Sequence, residues 1–162
     1  MLAELYADLV ALTPRGLPLP AVIFFRPKPK FVEWMRCTVG AGLVYDVGAG
    51  CGQVSRALSD AGLAVKAIDT TLRVRGEFRV HQADGASFPY EEDSTAMLCR
   101  PCHGLFTQAV IERAIERGAR RVLYVGLPRN VKLDLGSYAG RFRRVLTGAG
   151  EDGENVYQLR VD

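Results

Sequence analysis

The pattern of apolar and polar positions changes character twice along the chain. Leu2, Leu5, Tyr6, Leu9 and Val10 recur at helical spacing, which predicts an opening amphipathic helix. Thr13-Pro14-Arg15-Gly16 ends it, since proline and glycine both disfavour continuation. Arg26-Pro27-Lys28-Pro29-Lys30 then reads as an extended, solvated connector, and residues 31–36 as a second short helix. From Leu43 onward, short apolar runs alternate with helical patterns. Strands are predicted over 43–47, 63–68, 78–82, 96–99 and 121–125, with helices over 53–60 and 105–117. Residues 142–147 and 155–161 flank a turn rich in Gly, Asp and Glu, which predicts a closing antiparallel hairpin. The alternation implies an α/β fold with a mostly parallel sheet and ligands at the carboxyl ends of its strands.

Length and composition narrow this further. A chain of 162 residues fits one domain, with 1–42 as a helical and connector segment and 43–162 as the α/β core. With 48% hydrophobic and 24% charged residues it has the make-up of a globular protein. The formal charge of +3 permits an anionic partner without requiring one, so nucleic acid is not the favoured partner. The longest apolar run, residues 21–25, is far too short to span a membrane. Glu4 and Asp8 stand where a basic leader would lie, so a cytoplasmic location with reduced cysteines is expected. The apolar faces of the opening helix and of Val22-Ile23-Phe24-Phe25 could cover a sheet edge or a second copy. Monomer and homodimer both remain open.

The densest chemical signal is Val44-Tyr45-Asp46-Val47-Gly48-Ala49-Gly50-Cys51-Gly52, between a strand and a helix. Glycine suits such a turn because a Cβ would keep the backbone from approaching a ligand. The helix start behind it offers free N–H groups. The dinucleotide pattern G-x-G-x-x-G needs glycine at 53, where Gln53 stands, which disfavours an NAD(P) oxidoreductase. Asp69 ends the second strand, where a carboxylate can accept from both ribose hydroxyls or cap a helix. Gln82-Ala83-Asp84-Gly85-Ala86-Ser87-Phe88-Pro89-Tyr90 completes the series.

In order and spacing these three segments resemble the motifs of class I, Rossmann-like methyltransferases that use S-adenosylmethionine (SAM), over about residues 43–99. The resemblance implies that Gly48, Ala49, Gly50 and Gly52 pass the methionine and ribose parts of SAM. It further implies that Asp46 orients the amino group, that Asp69 with Thr70 holds the ribose, and that Asp84 with Gly85 frames the adenine. Cys99 would close the pocket at the end of the fourth strand. The implied activity is methyl transfer to a small molecule or protein side chain. A non-catalytic SAM-binding or interaction module is the alternative. Two links are reduced relative to the family, residues 70–77 and 128–141.

Cys99-Arg100-Pro101-Cys102-His103-Gly104 falls where this class places its substrate-facing loop. Cys-x-x-Cys-His also matches a c-type haem attachment pattern, which would require export. Pro101-Cys102 is similar to the nucleophile loop of cytosine-C5 methyltransferases, but the accompanying glutamate is replaced by Arg129-Asn130-Val131. Cys51, Cys99, Cys102 and His103 would form a Cys₃His set if the first and fourth strands are neighbours, though no metal is expected there. The favoured reading places Cys102 and His103 in the substrate pocket as the catalytic candidates, with His103 as general base.

Overall fold

The computed structural model describes residues 25–71, 78–101 and 104–160. The expected helix over 2–10 and most of the apolar segment 22–25 lie outside them. Elements run in the order α1 (Pro29–Val39), β1 (Leu43–Val47), α2 (Gln53–Asp60), β2 (Ala64–Asp69), β3 (Val80–Gln82), β4 (Thr95–Cys99), α3 (Gly104–Glu116), β5 (Arg121–Gly126), α4 (Val131–Leu135), β6 (Phe142–Leu146) and β7 (Asn155–Leu159). Two 3₁₀ turns, Pro128–Asn130 and Gly136–Arg141, flank α4.

Among the described residues, seven strands form one sheet ordered β3-β2-β1-β4-β5-β7-β6. β1 to β5 pair in parallel, and β7 runs antiparallel to both β5 and β6. The expected mostly parallel sheet with a closing antiparallel hairpin is therefore present. The sequence reading did not place the last strand inside the sheet, between β5 and β6.

Alternation along the strands loads two faces. Tyr45, Val47, Ala96, Leu98, Val122 and Tyr124 pack with Val110, Ile111 and Ala114 of α3. Val44, Met97, Leu123, Val125 and Val156 pack with Phe31 and Met35 of α1 and with Val54 and Leu58 of α2. Continuous burial along β4 and β5 is what a parallel sheet covered on both sides requires.

The stretch expected to be a solvated connector is instead tied down. Pro29 occupies the first turn of α1, where its missing N–H costs nothing, so the helix begins two residues before the predicted start. It runs on to Val39, and Gly40, at φ 60°, ends it. Ahead of it, Pro27 bridges Gly150, the Lys28 N–H donates to the Ala149 carbonyl at 2.8 Å, and Arg26 pairs with Glu151 at 3.0 Å. Phe25 is buried edge-on against Phe31. Proline spacing alone did not carry these non-local contacts.

The reduced link after β5 is fixed at one point. The Tyr124 hydroxyl donates to the buried Asp134 carboxylate, joining β5 to α4. Burial, then the neighbouring carboxylate, push the Tyr124 hydroxyl well above its usual range, so it stays protonated as the donor. Tyr124→Phe would strand that carboxylate at a cost of about 1–3 kcal/mol. For a chain of this size the melting temperature should fall by about 2–4 °C per kcal/mol, read by thermal denaturation.

Candidate functional site

The loop between β1 and α2 sits at the carboxyl edge of the sheet. Gly48, Gly50 and Gly52 have φ of 74°, 58° and 81°, in the left-handed region that favours glycine. Their reasons differ. A Cβ on Gly52 would come within 2.7 Å of the Phe78 Cβ, so that glycine is required by packing. A Cβ on Gly48 would meet nothing within 4 Å, so that glycine leaves open room above the backbone. The N–H groups of Gly48 and Ala49 both donate to the Ile68 carbonyl, at 2.8 and 3.1 Å, which pins the loop to β2.

Asp69 ends β2 and holds the same loop from its other side. Its Oδ2 accepts from the Gly50 N–H at 2.8 Å and its Oδ1 from the Thr71 N–H at 3.0 Å. It therefore closes its own turn. Thr70 beside it is exposed, and its carbonyl accepts from Gln82 Nε2 at 3.2 Å. On the adjoining strand end, Asp84 accepts from the Ala86 N–H at 2.9 Å. Gly85 is buried beneath it, and its carbonyl accepts from the Tyr90 hydroxyl at 2.8 Å.

Asp46 occupies a different environment. It is 2% exposed, and its Oδ2 accepts from the Ser55 hydroxyl of α2 at 2.7 Å. Burial raises its carboxyl to about 6, the nearby Asp69 charge adds to the rise, and the Ser55 bond opposes it. Asp46, Gly48, Ala49, Cys51, Gln53, Val54, Cys99 and Phe25 line one pocket. Cys99 ends β4 beside it, where burial first, then the charges of Asp46 and Glu154, push the thiol well above its ordinary value. Such a thiol is not an ionised nucleophile at neutral pH.

The sequence-predicted cofactor residues thus gather along the ends of β1, β2, β3 and β4. Cys102 and His103, the catalytic candidates, lie outside the described residues, and so does most of the short link 70–77. Among the described residues, no three metal-ligating side chains come together. Sequence reasoning missed Ser55 and Phe25. A small hydroxyl in the first turn of α2, facing a strand acid, was a usable signal for Ser55. Phe25 carried none, because the Pro27–Gly150 bridge that brings it to the pocket joins distant segments.

It also missed the partner of Arg100. This residue has φ 46°, strained for a side chain of its size, and its N–H donates to the Val125 carbonyl at 2.8 Å. Its guanidinium lies 3.4 Å from the wholly buried Glu154 carboxylate and 3.6 Å from Asp152. The loop after β4 is thereby moored to the β6–β7 turn.

The Asp46 environment sets a pH dependence. A carboxyl raised in the fold contributes stability that is complete below its unfolded value of 3.8 and is lost as pH rises through about 6. Asp46→Asn should flatten that part of the melting profile and raise the melting temperature at pH 8 relative to the parent. Thermal melts across pH 4 to 8 check this.

The sequence matches no family model and no curated protein. Solved structures carry the likeness. The 1,6-didemethyltoxoflavin-N1-methyltransferase of Burkholderia thailandensis, with bound S-adenosylhomocysteine, superposes with a TM-score of 0.60 at 16% identity, over 98% of this chain and 87% of that one. Magnesium protoporphyrin IX methyltransferase from Synechocystis PCC 6803, with the same bound product, gives 0.59 at 16% identity, covering 82% and 80%. The 23S rRNA methyltransferase ErmE gives 0.58 at 18% identity, covering 86% and 70%. With its seven strands in this order, the chain has the Rossmann-like fold of these methyltransferases.

Proposed function

We propose that this chain is a SAM-dependent methyltransferase. The observation that carries the reading is the set of carboxylates at successive strand ends around an open glycine loop. Asp46 ends inside the pocket, Asp69 buttresses the loop, and Asp84 lies in the turn that follows the next strand. This donor chemistry suits the cofactor: an acid for an ammonium, an acid for vicinal hydroxyls, an acid for an exocyclic amine. The room above Gly48 suits a ligand in contact with the main chain.

Bound SAM would supply an electrophilic methyl group on a sulfonium. Asp46, steadied by Ser55, would take the amino group of the methionine part, with Gly48, Ala49, Gly50 and Gly52 against its chain. Asp69 and Thr70 would take the ribose, and Asp84 and Gly85 the adenine. Phe25, Val54 and Cys99 would wall the pocket and exclude water. Methyl transfer depends mainly on lining up the acceptor with the methyl and its leaving sulfur, so orientation is the protein's chief contribution. His103 is the candidate general base and Cys102 its neighbour facing the acceptor. The acceptor read from the sequence is a small molecule or a protein side chain. The protein works in the cytoplasm on this reading, and no helix among the described residues is long and apolar enough to cross a membrane.

The test is a thermal melt with SAM, S-adenosylhomocysteine, NAD and NADP in parallel. At about a hundred times its dissociation constant, a ligand should stabilise the fold by about 2.7 kcal/mol. A shift with SAM or its product alone, lost in Asp69→Ala, is expected. A shift with NAD alone overturns the proposal, and no shift with any of the four leaves a non-catalytic interaction module in its place. Binding should also weaken as pH falls through about 6, since protonation of Asp46 removes the charge that holds the ammonium.

A further inference from the structure

The charge of the chain is unevenly distributed. Residues 119–150 hold seven basic side chains and one acid, in a chain whose formal total is only +3. The acid is Asp134, buried and held by Tyr124. The bases are Arg120, Arg121, Arg129, Lys132, Arg141, Arg143 and Arg144, and the fold adds Arg160, whose N–H donates to the Arg141 carbonyl at 2.8 Å.

Most of these line one edge. Among the described residues β6 is the last strand of the sheet and pairs only with β7. Arg143 and Arg144 project from it, both exposed, with Arg141 and Arg160 below them. Arg129 and Lys132 continue the row past the carboxyl end of β5, also exposed. Among the described residues no carboxylate lies within ion-pair distance of any of these six. On a packed element, Glu112 of α3 accepts from the Tyr138 hydroxyl at 3.3 Å, while Arg141 stacks over the Tyr138 ring. By contrast, the arginines of α1, α2 and α3 that do pair, Arg36, Arg56 and Arg113, each have an acid one turn away.

Edge arginines alone could serve to keep a bare strand from pairing with another chain. That explanation does not reach Arg129 and Lys132, which lie beyond the strand at the sheet edge bearing the candidate site. Two strongly exposed leucines share that end, Leu133 at 74% and Leu105 at 80%. They flank the start of α3, where Gly104 lies against the Leu133 carbonyl. Unpaired basic side chains thus stand both on the edge strand and past the carboxyl end of β5.

We infer that the β6 edge and the 129–133 turn form a docking surface for the phosphate backbone of a nucleic acid strand, which leads the acceptor to the loop after β4. Guanidinium groups match phosphate oxygens in pairs, and seven of the eight bases here are arginine. The apolar tips of Leu105 and Leu133 give an unstacked base a dry surface beside the start of α3. The acceptor role rests on the methyl-transfer reading above, whereas the docking surface does not.

The experiment is fluorescence anisotropy of a short labelled single-stranded RNA with the full chain, without cofactor, over a salt series. Five single-strand phosphate contacts would lose about 100-fold in affinity between about 50 and 200 mM salt. Arg143→Gln with Arg144→Gln should weaken binding about tenfold and flatten the log–log salt slope by about 1.4. Arg36→Gln with Arg56→Gln makes the same change in net charge where each arginine already pairs with an acid, and should bind within about twofold of the parent. Absence of RNA binding at low salt overturns the inference, as does an equal loss in both double variants. Binding only to vesicles of anionic phospholipid overturns it in favour of a membrane surface. If array-dependent RNA binding persists while SAM gives no thermal shift, the docking surface stands and only the methyl-transfer reading falls.

Discussion

A carboxylate held out of water at the end of β1 organises the candidate site. Asp46 loses its hydration in the fold and regains one strong partner, the Ser55 hydroxyl, from the first turn of α2. That bond fixes where α2 begins relative to β1, and the glycine loop must close within the interval. Asp69 grips the loop from the next strand through the Gly50 N–H, so two acids define a backbone path that only glycine follows without strain. Burial raises the Asp46 carboxyl, and the Asp69 charge adds to the rise, so Asp46 takes up a proton more readily than an exposed carboxylate.

This arrangement explains why a reduced fold can keep a site. The link around α4 follows β5, which lies two strands from β1 in the sheet. α4 has only five residues, yet Tyr124 fastens it to β5 through a buried bond, so the loss of helix length does not free the sheet face beneath. Arg100 plays a comparable part on the other face of the loop after β4. Its strained backbone is held by Glu154 and Asp152, and the same turn grips Arg26 and the Pro27 bridge. One turn between β6 and β7 thus positions both the pocket wall at Phe25 and the start of the loop after β4.

Local signals were legible in the chain, and distant pairings were not. Periodicity and glycine placement located β1, α2, β2, β4, α3 and β5 within a few residues, because each is decided by neighbours in sequence. Asp46, Asp69 and Asp84 were singled out because strand ends carry ligands in parallel sheets, and all three lie along that edge of the sheet. The stretch 26–30 was misread because its order comes from Gly150 and Glu151, far along the chain. Arg100 could not be assigned a partner for the same reason, since Glu154 lies 54 residues away. The basic edge escaped notice because a total of +3 averages a cationic stretch with an acidic remainder.

The order of the final strands bears on how the sheet comes together. β6 leaves the ribosome before β7, yet among the described residues its only neighbour in the sheet is β7, which lies between it and β5. Until Asn155–Leu159 is available, β6 has no backbone partner, and β5 keeps one edge bare. β6 and β7 are consecutive in the chain, so the two can pair locally on the microsecond scale of hairpins. The preformed pair can then add to β5 in one antiparallel docking event, the step with the larger loss of chain entropy. The most non-local pairing of this half of the sheet is thus deferred to a single late closure, which leaves the apolar edge of β5 exposed until then.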